Sequence, residues 1–79
     1  IGIKRDRRQA LRWLSTAAEA GDPEAMVNLA IMLEQGDGVP TDAPKAVRLY
    51  RRSAELGNVV AQTNLALAYL QGDGIRKNV

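Results

Sequence analysis

The chain contains no cysteine and no histidine among its 79 residues. The first absence removes disulfides, thiolate nucleophiles and Cys-based zinc sites. The second removes the commonest general base and metal ligand. Without either, the usual nucleophile–base pairs cannot be assembled, and transition-metal binding lacks its preferred donors. Phenylalanine is also missing, and the aromatics are Trp13, Tyr50 and Tyr69 alone. No apolar run approaches the roughly 20 residues of a membrane span. Nor does a signal peptide or an initiator methionine open the sequence, which therefore reads as a piece of a longer protein. Its compartment stays open between cytoplasm and cell envelope, as a soluble segment.

What is present is mostly alanine and leucine within a 46% hydrophobic composition, a balance that favours helix packed on helix. The net charge of +2 is too small to imply nucleic acid by itself. A core in so short a chain is marginal without support from neighbours.

The chain also repeats itself. Gln35-Gly36-Asp37-Gly38 returns as Gln71-Gly72-Asp73-Gly74, 36 positions later. At that offset 15 of 43 comparable positions are identical, including Asp6/Asp42, Ala10/Ala46, Arg12/Arg48, Gly21/Gly57 and Asn28-Leu29-Ala30/Asn64-Leu65-Ala66. Periods of this size mark solenoids. Asp22 followed by Pro23 is an N-cap and first-turn signature, and Asp42 and Asn58 cap further segments. Gly36, Gly57 and Gly72 stop them. Apolar stripes at helical spacing complete four predicted helices. The first runs from Asp6 to Ala20, with Ala10, Trp13, Leu14, Ala17 and Ala18 on its inner face. The others cover 23–35, 43–56 and Val59 to Gln71. Turns alternate between very short and longer. The fold expected is all-α: an α-solenoid of antiparallel helical hairpins. One complete repeat spans 22–57, flanked by partial repeats at 1–21 and 58–79.

The Gly-Asp-Gly loop admits two chemical readings, and neither holds. It lacks the Lys-Ser/Thr of a phosphate-binding loop, and Asp37 repels phosphate. It also lacks the alternating ligands of a calcium loop. It reads as a turn, with the following Val39 or Ile75 inserted into the core. No catalytic residue, metal ligand or cofactor site is assigned, and no enzymatic activity is expected.

Ala25, Asn28-Leu29-Ala30, Leu33, Gly36-Asp37-Gly38-Val39, Asp42, Lys45-Ala46, Leu49-Tyr50, Ala54-Glu55 and Gly57 together form a pattern that resembles the Sel1-like repeat, a relative of the tetratricopeptide repeat. The resemblance covers nearly the whole chain. Departures are Ala30 and Ala66 for the usual glycine, Leu33 for a tyrosine, and the reversed order of bulk at Trp13-Leu14. The resemblance implies a bacterial interaction scaffold or adaptor that binds a protein or peptide in a concave groove.

In stacked hairpins the first helix of each pair lines the concave side. The groove-side positions are then Glu24, Val27, Asn28, Ile31, Glu34 and Gln35, with Val60, Thr63, Asn64, Leu67 and Gln71 in the next repeat. Asn28 and Asn64 match positions where tetratricopeptide relatives hold a peptide backbone, because an amide donates and accepts at once. The structural alternative has each asparagine bonding a neighbouring carbonyl to fix repeat spacing. Val27, Ile31 and Leu67 add apolar contact. A second reading of the groove is a non-protein ligand such as a cell-wall glycan, which two or more stacked exposed aromatics would favour; Tyr50 and Tyr69 are both expected to be buried. The basic residues Lys4, Arg5, Arg7, Arg8, Arg12, Arg48, Arg51 and Arg52 read either as a solvated face or as a ridge for an acidic partner. Glu19, Glu24, Glu34, Glu55 and several aspartates dilute their field, which disfavours nucleic acid. Self-association through the uncovered apolar ends is a further expectation.

Overall fold

The computed structural model describes residues 7–36 and 38–71. The side chains of Arg7 and Gln71 lie outside that description, as do Lys4, Arg5, Asp6, Asp37 and the second Gly-Asp-Gly-Ile loop. Four α-helices of 13 residues follow one another: α1 (Arg7–Glu19), α2 (Pro23–Gln35), α3 (Ala43–Glu55) and α4 (Val59–Gln71). The chain is all-α, and each helix packs chiefly on its sequence neighbours as a succession of hairpins.

Local chemistry sets these bounds. Asp22 Oδ1 accepts the Glu24 N–H at 3.0 Å, Asp42 Oδ1 accepts from Lys45 at 3.1 Å, and Asn58 Oδ1 accepts from Ala61 at 2.9 Å. Each cap satisfies one of the orphan donors of a helix start. The prolines at 23 and 44 fall in first turns, where a missing N–H is harmless.

Two kinds of connection alternate. The α1–α2 and α3–α4 turns are the same motif, written one period apart. In the first, the Gly21 N–H reaches Ala18 O at 3.0 Å and the Asp22 N–H reaches Ala17 O at 3.1 Å. In the second, Gly57 donates to Ala54 O at 2.9 Å and Asn58 to Ser53 O at 3.1 Å. These are Schellman pairs, and the residue after the glycine is at once the next N-cap. The α2–α3 loop is longer. Gly36 turns left-handed at φ 69°, and the Asp42 N–H closes the loop on Leu33 O at 3.0 Å.

The core lies on α2, which is wedged between α1 and α3. Met26, Ala30, Ala46 and Ala61 are fully buried, and Tyr50 is 1% exposed. Alanines at the crossings let backbones approach closely, so large side chains concentrate at Met26, Tyr50, Leu29 and Leu33. Val39 is half-buried and packs against this cluster from the loop, as the turn reading of the Gly-Asp-Gly segment anticipates. Two polar links tie α3 to α2. The Tyr50 hydroxyl donates to Glu34 Oε1 at 2.7 Å, and Ser53 Oγ, fully buried, donates to the Pro23 carbonyl at 2.8 Å.

Three sequence expectations need correction. Trp13 is 73% exposed instead of facing inward. Leu14 and Ala17, with Ala18 fully inside, make the contact with α2, and Trp13 falls beside that arc. Tyr69 is 49% exposed, because no described helix covers α4 on its far side. The third helix ends at Glu55, and Leu56 is already its cap.

Candidate partner-binding surface

On α2 the buried arc is wide, since two helices cover it. The outer side of α2 carries a ridge at i, i+4, i+7 and i+11, Glu24, Asn28, Ile31 and Gln35, with Glu34 exposed beside it. Glu24, Asn28 and Gln35 are exposed, and Ile31 is half-buried against the core. Asn28 stands at the middle of this ridge, and its amide hydrogen-bonds no other described residue. The corresponding ridge on α4 carries Val60, Asn64 and Leu67. Asn64 is half-buried, also without a side-chain partner among the described residues, and Leu67 is 46% exposed.

Two expected site residues depart from this ridge. Val27 is 5% exposed and belongs to the core cluster, so it offers nothing to a ligand. The reason is the double coverage of α2, which reaches one position further round the helix than a single neighbour would. Its repeat counterpart Thr63 is exposed, since among the described helices α3 alone packs closely on α4. Glu34 is exposed but its carboxylate is engaged by Tyr50. That contact has a chemical consequence. Burial pushes the Tyr50 phenol far above its ordinary pKa of 10.0, and the hydrogen bond and negative charge of Glu34 push it further.

The basic residues divide. Arg51 turns toward α4 and donates to the Tyr69 hydroxyl at 2.6 Å. Arg48 and Arg52 are exposed on the opposite flank of α3, in line with Lys45. Sequence reasoning, which grouped the three arginines, missed this split. It also missed Lys45, which the i, i+3, i+7 spacing with Arg48 and Arg52 could have revealed. Among the described residues no group of acidic side chains could hold a metal ion, and no helix is long and apolar enough to cross a membrane.

Comparison with known proteins agrees with this geometry. The chain matches the Sel1 repeat over residues 1–22, 23–58 and 59–79. It is similar to the crystal structure of a Sel1 repeat protein from Oxalobacter formigenes, with 31% identity and a TM-score of 0.89. That match covers 98% of this chain and 32% of the other. It is also similar to a protective antigen present in uropathogenic Escherichia coli strains that displays an SLR fold, at 36% identity and a TM-score of 0.91. Here 98% of this chain covers 16% of the antigen, so the chain spans portions of larger bacterial repeat proteins. No curated protein matches by sequence. With the 36-residue period, the shared Schellman turns and the glycine-marked loops all accounted for by one pattern, the chain belongs to the Sel1 repeat family.

Proposed function

We propose that the chain is a non-catalytic interaction segment that holds an extended peptide of a partner protein along the ridges of α2 and α4. The observation that carries this reading is the open amide of Asn28: exposed, mid-ridge, and hydrogen-bonded to nothing among the described residues. An asparagine that spaced repeats would be occupied by a neighbouring carbonyl. Free, it can donate to and accept from one peptide unit of a ligand. Asn64 repeats the arrangement, and Ile31 and Leu67 flank the two amides with apolar surface. The glycan alternative draws no support from the aromatics. Trp13 and Tyr69 sit on the two outermost helices, Tyr50 is buried, and the Tyr69 hydroxyl is engaged by Arg51.

The test is selection of random dodecapeptides on the immobilised chain, followed by affinity measurement against the Asn28→Ala/Asn64→Ala protein. Circular dichroism checks that the variant folds. Losing the hydrogen bonds of one amide should weaken binding about tenfold, the equivalent of about 1.4 kcal/mol. Unchanged affinity for every selected peptide defeats the assignment.

A further inference from the structure

A second surface lies on the other side of α2, where α1 and α3 face each other without packing closely. Two hollows there, of about 330 and 110 Å³, share Ser15 and Lys45 and so form one groove. The floor is Leu29 and Leu33 of α2, and Leu11 and Leu49 form apolar walls. Val39 and Pro40 close the wider end. From Lys45 to Arg52 the groove runs seven residues along α3, about 10 Å at helical rise.

Its lining carries two cations, Lys45 and Arg52 of α3, and two carboxylates, Glu19 and Asp42. Two further cations stand beside the lining and tip the surroundings positive: Arg48, between Lys45 and Arg52 along α3, is exposed. Arg12 stands one turn before Ser15 on α1, also exposed. None of these four cationic side chains pairs with another described residue. Glu19 lies at one end and Asp42 at the other, and the Asp42 carboxylate already accepts the Lys45 backbone N–H as a cap. An apolar trough under unpaired cations is complementary to a segment that presents an aliphatic side chain between carboxylates.

We propose that the groove between α1 and α3 is a docking site for an acidic peptide segment of a partner protein, with one aliphatic residue in the wider hollow and glutamates or aspartates against Lys45 and Arg52. This site lies off the asparagine ridges and does not depend on them.

The probe is a fluorescein-labelled nonapeptide of glutamates and aspartates around two central leucines, titrated by anisotropy. Controls replace the leucines by serine, or the acids by lysine. The protein variant is Lys45→Glu/Arg52→Gln. Position 45 is the third residue of α3, where glutamate suits a helix start, so the fold survives and dichroism confirms it. Binding of the acidic leucine peptide should fall at least tenfold in this variant and on passing from 50 to 300 mM salt. It should be untouched by Asn28→Ala/Asn64→Ala. The serine peptide should bind at least fivefold more weakly. The proposal is overturned if the acidic peptide does not bind, if Lys45→Glu/Arg52→Gln binds it equally, or if the serine peptide binds as well as the leucine one. Tighter binding of a single-stranded oligonucleotide at the same residues overturns it too, as does loss of peptide binding to competing self-association.

Discussion

Gly36 and Gly57 both hold a left-handed backbone at a helix stop, yet alanine should cost more at the first. At either position a side chain in this region costs about 1–2 kcal/mol. Gly57, at φ 97°, has open space around it: a Cβ there would meet nothing within 4 Å. At Gly36 the Cβ would lie 2.8 Å from Thr41 Cγ2. Thr41 is β-branched and anchored beside Asp42, whose N–H holds the loop to Leu33. Rotating Thr41 off its preferred geometry to make room costs about a further 1 kcal/mol. Gly57→Ala should therefore destabilise by about 1–2 kcal/mol and Gly36→Ala by about 2–3. For a domain of this size each kilocalorie lowers the melting temperature by about 4–8 °C, which dichroism at the helical band resolves. The steric part has its own control. Thr41→Ser removes Cγ2, so Gly36→Ala on that background should recover about 1 kcal/mol in a double-mutant cycle. Equal costs at the two glycines, or no recovery with serine, would refute the loop argument.

Tyr50→Phe removes the bond to Glu34 and should cost about 1 kcal/mol at neutral pH, since exposed Glu34 regains water. The raised phenol pKa also makes stability pH-dependent: the folded state keeps its proton while the unfolded chain releases it above 10.0. The contribution is complete below that value and declines as pH rises beyond it, so alkaline melts of wild type should show a downward slope that Tyr50→Phe reduces. Ser53→Ala should cost about 1 kcal/mol in urea unfolding, because Ser53 is wholly buried and bonds Pro23 O; no change would remove the inter-helix role of that bond. Sedimentation velocity should detect concentration-dependent association through α4, where Val59, Val60 and Leu70 form an open apolar face and Leu70 is 78% exposed. Leu70→Glu should return the protein to monomer, and a wild type that stays monomeric at all concentrations contradicts this.

Much of the fold was legible because its signals are local. A capping aspartate acts on N–H groups two or three residues away, and a Schellman glycine on carbonyls of the preceding turn, so Asp22, Asp42, Asn58 and Gly57 announce themselves within a short window. Coverage is different. Val27 is buried and Thr63 open although they occupy the same place in the repeat, since among the described helices α2 has neighbours on two sides and α4 on one. Trp13 looked internal by its hydrophobicity, but its counterpart Leu49 is only half-buried, and the position sits at the margin of the contact. The groove between α1 and α3 was not legible at all: its walls are repeat mates far apart in sequence, and only the wedge of α2 between them sets their separation.

The two polar links between α2 and α3 also bear on how a chain of near-duplicates avoids confusing its own parts. One period earlier, Tyr50 and Ser53 correspond to Leu14 and Ala17. If α1 settled on α2 in the place of α3, Glu34 would meet leucine and the Pro23 carbonyl would meet alanine. Two hydrogen bonds of about 1 kcal/mol each would be forfeited, a discrimination of about thirtyfold. The backbone period makes the repeats interchangeable in shape. By this margin Tyr50 and Ser53 favour α3 over α1 for the slot against α2.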